Sequence, residues 1–228
     1  MVVIMFNGFS QHTIDFMWNL RFNNRRDWFE AHKEEYKREL LSPMKDLSGE
    51  VFERVTERCG DRGFIHKVSR IYKDARRVRD GEPYRTHLWF SIERPSEDWT
   101  FSPVFWFQLE PDEWSYGLGY WQAKPITMAK LRARIDANPK KFESLISSLA
   151  EQNEFVLDGP EYARRKTAPT LKTQAWYNKK SFSLTYSQPN GKELFSSAFA
   201  DRLVYGYEFL MPLYDYIATL DSDPEPKV

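Results

Sequence analysis

The amino-acid sequence predicts an α+β fold: a single domain with a largely antiparallel, aromatic-rich sheet flanked by N-terminal, middle and C-terminal helices. Three observations carry this expectation. Apolar residues recur at helical spacing through the first third, apolar and polar residues alternate in the middle, and helical spacing returns after Pro125. The chain has 228 residues, enough to bury a large core without a disulfide or metal staple.

The elements follow in order. Ser10 caps a helix with Ile14, Met17 and Trp18 on one face, and Asn23-Asn24 breaks it. Asn24 is read as the cap of a second helix carrying Trp28, Phe29, His32 and Tyr36, with Asp27 favouring its start. Ser42-Pro43 reads as a cap plus first-turn proline of a third helix through Met44, Leu47, Val51 and Val55, ending at Gly60. Segments 84–94, 101–110 and 114–122 alternate aromatic and polar residues and are linked by short Pro- and Asp-bearing connections, which predicts an antiparallel meander. Gly117 and Gly119 share one face and permit a close backbone approach by another segment or a ligand. Helices resume with Met128, Leu131 and Ile135, then restart at Asn138-Pro139. Phe155 to Leu157 and Phe182 to Tyr186 read as short strands. A terminal helix opens at Ser196-Ser197, and Pro212 is expected to kink or restart it. The domain is expected to span 1–220, with 221–228 as a disordered tail.

Composition excludes several classes. The 33 basic and 33 acidic side chains balance, which argues against a nucleic-acid binder using its whole surface. Cys59 is the sole cysteine, so no internal disulfide forms and a reducing cytoplasm is the expected location. The apolar run Met1 to Phe6 is far shorter than the roughly 20 residues a membrane span requires. The 8 Trp, 12 Tyr and 17 Phe are expected to dominate the core. Phosphate-loop, dinucleotide, nucleophile-elbow and zinc-helix motifs are missing, and the four histidines share no metal-ligand spacing, so no metal and no cofactor is called for.

Charge is nevertheless uneven. Between Lys67 and His87 seven basic residues face three acids, and between Tyr162 and Lys180 there are six basic residues and no acid. Arginine forks suit phosphate or carboxylate, so the first stretch is a candidate anion site, although a solvated charged face paired with nearby acids is the more economical explanation. On the strand beginning at Tyr84, Arg85 and His87 point the same way, and Glu110 ends the next strand. An Arg, a His and a Glu converging there would suit acid–base work on an anion.

Three separated segments resemble a family of conserved bacterial proteins of unknown function. They are Asn23-Asn24 followed by Trp28-Phe29, His32-Lys33 and Tyr36; the run Lys73 to His87, matching the family at Arg76, Asp80, Pro83, Tyr84, Thr86 and His87; and Phe107-Gln108-Leu109-Glu110-Pro111 followed by Gly117-Leu118-Gly119. Lys73, Arg77 and Gly81 depart from the family pattern. The resemblance implies one α+β domain with no assigned reaction.

The leading expectation is a cleft for a small phosphate- or carboxylate-bearing ligand. Arg76 and Arg85 would grip the anion and Asp80 would orient Arg76. Trp28, Tyr84 and Glu110 would line the cleft, with His32 or His87 as proton carrier. The alternatives are a non-catalytic protein-interaction module, and nucleic-acid binding through 67–87 and 162–180 with Trp176 and Tyr177 stacking on bases. No membrane partner is expected.

Overall fold

The structure, a computed structural model, describes residues 5–74, 76 and 81–226. Its helices are α1 (Gln11–Phe22), α2 (Arg26–Ala31), α3 (Lys33–Glu35), α4 (Ser42–Cys59), α5 (Pro125–Ala137), α6 (Pro139–Ala150), α7 (Gln174–Tyr177) and α8 (Phe199–Ile217). Its strands are β1 (Ile65–Val68), β2 (Leu88–Glu93), β3 (Pro103–Leu109), β4 (Glu113–Tyr120), β5 (Val156–Asp158) and β6 (Ser183–Pro189). They form an antiparallel six-stranded sheet in the order β1-β2-β3-β4-β6-β5. This is the expected α+β class, and the three aromatic segments are the adjacent central strands β2, β3 and β4.

The described residues divide into two compact units: those within 1–92, 106–116 and 187–206 form the first, and those within 93–105, 117–186 and 207–228 the second. The chain passes repeatedly from one to the other, so no composition break marks either. The first unit is cored by Phe107, which packs with Phe9, Phe90 and Phe199 at ring separations of 6.3, 5.5 and 5.6 Å. In the second, Phe105 packs on Tyr207 and Tyr214, and Trp176 meets Phe142 and Phe182 edge-on. Residues 114–120 of β4 are buried on both faces, which is why every one of them except Leu118 is aromatic or small. A Cβ on Gly117 would lie 1.9 Å from the Leu184 carbonyl oxygen, and one on Gly119 2.5 Å from that of Phe182. The close approach permitted by these glycines is therefore made by the chain itself.

The N-terminal helices differ from the expectation in an instructive way. Ser10 caps α1 as predicted, in a reciprocal pair with Thr13. Asn24, however, does not cap α2, whose N-cap is Arg25 without a side-chain hydrogen bond. The helix expected to run on through Tyr36 is broken at His32. Ser42 is already helical, because a π-helical segment, Tyr36–Leu41, leads directly into α4. Pro43 explains the wide turn. It has no N–H for the carbonyl of Glu39 four residues back, and its ring crowds that carbonyl. The Thr13 hydroxyl donates to the Glu39 carbonyl at 2.7 Å instead.

Beyond α5, Asn138 caps α6 by accepting from the Lys141 N–H at 3.0 Å, as its spacing predicts. Helix α8 does not restart at Pro212 but continues to Ile217. After it, Leu220–Ser222 form a short 3-10 turn, and Asp223 pairs with Arg134 at 2.6 Å.

Candidate functional site

The 71–87 segment is a narrow ladder. Lys73 N–H donates to the Pro83 carbonyl at 2.9 Å, Tyr72 bridges Tyr84, and Arg85 N–H donates to the Ile71 carbonyl at 2.8 Å. Pro83 fits because only its carbonyl is needed there. The Asn24 side chain grips Tyr84 on both backbone groups, donating Nδ2–H to its carbonyl at 2.9 Å and accepting from its N–H at 3.0 Å. This amide pairs with the backbone as a neighbouring strand would. The Tyr84 ring stacks 4.1 Å from Phe29 and is only 2% exposed. Tyr84 is thus a packing residue, and the expectation that it lines a cleft is corrected. Burial, with Tyr72 next to it, pushes its hydroxyl above the usual phenol range.

The two candidate arginines do not form one clamp. The Arg76 fork is closed by Asp74, two residues away, through Nε–Oδ1 at 3.1 Å and Nη2–Oδ2 at 2.8 Å, with the Arg76 side chain 89% exposed. Asp80, expected to orient Arg76, lies outside the described residues. Arg85 turns back on its own ladder, Nη1 donating to the carbonyls of Arg70 at 2.6 Å and Tyr72 at 3.0 Å. Its Nε and Nη2 have no protein partner among the described residues and form the usable edge of the fork.

His87 and Glu110 do come together. His87 directly precedes β2 and Glu110 directly follows β3, and antiparallel neighbours bring the start of one strand to the end of the next. His87 is half-buried and makes no hydrogen bond among the described residues. Burial pushes its pKa below the usual imidazole value; Glu110 opposes that shift, and Arg85 and Lys73 add to it. Burial therefore favours the neutral imidazole, in which one nitrogen is able to accept a proton. Glu110 is positioned by Gln108, whose Nε2 donates to its carboxylate at 2.6 Å, and by Asn190, whose Nδ2 donates to the carbonyls of Glu110 and Pro111, both at 2.9 Å. Lys73, Asn24, Gln108 and Asn190 carry this site together with the predicted residues. No local pattern shows the partner of Asn24 or Asn190, because those partners lie about sixty and eighty positions away.

His32 and Trp28 form a separate pair. His32 Nδ1 donates to the Trp28 carbonyl at 2.7 Å, and the two rings stack 4.0 Å apart at 13°. The histidine closes the end of α2. Among the described residues no hydrogen bond or ion pair links it to His87.

The second basic stretch is also partly used internally. Trp176 is 5% exposed, so the expected stacking of a base on its face is corrected, and the Tyr177 hydroxyl donates to Asp136 at 2.9 Å. Lys179 pairs with Glu161 at 3.0 Å. A groove of about 730 Å³ in the second unit is lined by Arg134, Lys141, Asp215 and Tyr216, but the Arg134 fork is taken by Asp223. Among the described residues no three His, Cys, Asp or Glu side chains group as a metal site requires. Nor is any helix among them long and apolar enough to cross a membrane.

The fold is α+β, and at the end of its β2–β3 strand pair it holds a half-buried histidine that feels Arg85, Lys73 and Glu110. The chain belongs to a family of conserved hypothetical proteins, DUF2461, which matches residues 12–216. Comparison with curated proteins finds no match.

Proposed function

We propose that the chain binds a small phosphate- or carboxylate-bearing ligand beside His87. The single observation behind this reading is a half-buried imidazole with no hydrogen-bond partner among the described residues, within electrostatic reach of Arg85, Lys73 and Glu110. The Nε–Nη2 edge of Arg85 offers two parallel donors to an anion. His87 takes a proton from a neighbouring hydroxyl or activated carbon acid of the ligand, and Glu110 stabilises the imidazolium that forms. Trp28, His32, Arg76 and Tyr84 have no part in this reading, because each is engaged elsewhere.

The test is titration of the protein with phosphorylated metabolites and small carboxylates, following the His87 ring signals by NMR and the melting temperature. A binding ligand moves the His87 signals and stabilises the fold, and Arg85→Ala weakens it by about tenfold or more, as for a lost charged hydrogen bond. His87 signals unmoved by the whole panel would refute the reading.

A further inference from the structure

We infer a second anion site in this chain, built for a phosphate group around the ring of Tyr162. Three cations gather on that ring: Arg132 Cζ at 5.2 Å, Lys166 Nζ at 4.8 Å and Lys180 Nζ at 5.7 Å from its centroid. Arg132 also lies 6.0 Å from the Tyr177 ring. The three charges thus sit within roughly one Debye length of each other, about 10 Å at 0.1 M salt, so they repel one another. The tyrosine face offsets part of that repulsion but supplies no counter-charge.

The acids that could neutralise the cluster are committed elsewhere. Asp136, one helical turn beyond Arg132 on α5, accepts from the Tyr177 hydroxyl at 2.9 Å. Glu161, beside Tyr162, pairs with Lys179 at 3.0 Å and accepts from Asn178 Nδ2 at 2.8 Å. Among the described residues, none of Arg132, Lys166 and Lys180 pairs with a carboxylate. In addition, Arg132 Nη1 is buried with no hydrogen-bond acceptor among the described residues. A buried donor without an acceptor is an uncompensated cost, and no acceptor among the described residues holds this end of the guanidinium in place.

The cluster is also held in place. Tyr162 N–H donates to the Asn178 carbonyl at 3.0 Å and Lys180 N–H to the Pro160 carbonyl at 2.7 Å. Lys166 is fixed on both sides, its N–H donating to Asn178 Oδ1 at 3.2 Å and its carbonyl accepting from Gln174 Nε2 at 2.7 Å. These bonds use the backbone of both lysines, so their side chains are free for a ligand and can be removed without loosening the loop. Three cations, none of them in an ion pair with the nearby Asp136 or Glu161, match a dianion better than a single carboxylate, which selects phosphate. The same phosphate chemistry could come from a free phosphorylated compound or from a nucleic-acid strand.

The experiment is calorimetric titration of the full chain at low salt with three probes: inorganic phosphate, pyrophosphate and a ten-nucleotide thymidine oligonucleotide. Pyrophosphate is expected to bind the wild type. The Lys166→Ala/Lys180→Ala double variant, confirmed folded by circular dichroism, is expected to bind it at least about tenfold more weakly, the loss of one to two charged hydrogen bonds. In the Lys166→Ala/Lys180→Ala variant the response of the His87 ring signals to pyrophosphate is expected to match the wild type, which separates the site from the one at His87. Tight oligonucleotide binding that falls steeply with salt would identify a nucleic-acid strand as the source. Binding of the small probes alone would identify a free phosphorylated compound. The inference is overturned if neither small probe nor oligonucleotide binds at about 10 mM and about 0.1 mM respectively, a range that covers weak specific contacts. It is equally overturned if the double variant binds as well as the wild type.

Discussion

Asn24→Asp separates two roles that the sequence alone confuses. As a helix N-cap, aspartate serves as well as asparagine, and the substitution costs nothing measurable. As the amide that pairs with Tyr84, asparagine is irreplaceable, because the position needs one donor and one acceptor. Aspartate retains the acceptor for the Tyr84 N–H at 3.0 Å but loses the donor to the Tyr84 carbonyl, now 2.9 Å from Nδ2, and sets one oxygen against another. A buried carbonyl left without its donor costs about 1–3 kcal/mol. Asn24 is only 7% exposed, so the carboxylate must also be desolvated. A total loss of about 2–4 kcal/mol at pH 7 is expected. The loss shrinks as pH falls, because a protonated carboxyl regains a donor for the Tyr84 carbonyl. Urea unfolding followed by tryptophan fluorescence at pH 7 and pH 5 measures both effects. An Asn24→Asp variant within about 0.5 kcal/mol of wild type at pH 7 would refute the paired-amide account and restore the capping role.

Other outcomes follow from the same geometry. Gly206→Ala in α8 places a Cβ 2.4 Å from the fully buried Tyr116 ring; overpacking of about 1–3 kcal/mol exceeds the roughly 1 kcal/mol gain in helix propensity, and thermal unfolding should show a lower midpoint. Thr13→Val removes the hydroxyl that serves the Glu39 carbonyl at 2.7 Å and should cost about 1–2 kcal/mol by chemical denaturation, whereas Thr13→Ser should keep most of it. The His87 pKa is lowered on folding, so the unfolded chain takes up a proton near pH 6.5 while the folded one resists. The stability from His87 is therefore complete above pH 6.5 and is lost as pH falls from there through the folded value. NMR titration of the His87 ring should show its midpoint below 6.5, lower still in Glu110→Gln and higher in Arg85→Ala.

The parts of the fold that the sequence reveals are those fixed by short-range rules. Alternating aromatics place β2, β3 and β4, and Ser10 and Asn138 mark helix starts because a side-chain oxygen reaches an N–H three residues on. What it conceals depends on distant partners. Ser42-Pro43 has the form of a helix start, yet the proline sits inside a continuous helical stretch because Thr13 serves the carbonyl it leaves unpaired. Strand β1 has four residues, two of them charged or histidine, and no period distinguishes it from loop. Asn24 has the composition of a cap, and only the position of Tyr84 sixty residues away shows its actual use.

The candidate sites follow the same division, for an electrostatic reason. A sequence can count cations but not the acids that fold against them. Arg76 stands in the densest basic run, yet its fork is closed by Asp74, a residue visible in the sequence but not visibly paired. Lys179 belongs to a stretch without a single acid, yet Glu161, one position outside it, neutralises the charge. His87 kept its predicted neighbours because strand direction alone brings the start of β2 to the end of β3, so Arg85, His87 and Glu110 needed no distant coincidence. The gathering around Tyr162 is the opposite case. Arg132 arrives from a helix some thirty residues earlier, and its arrival turns an ordinary solvated pair of lysines into a threefold positive cluster on one ring. A basic stretch becomes a site only where folding adds cations and withholds acids, and in this chain that condition is met at Tyr162 and not at Arg76.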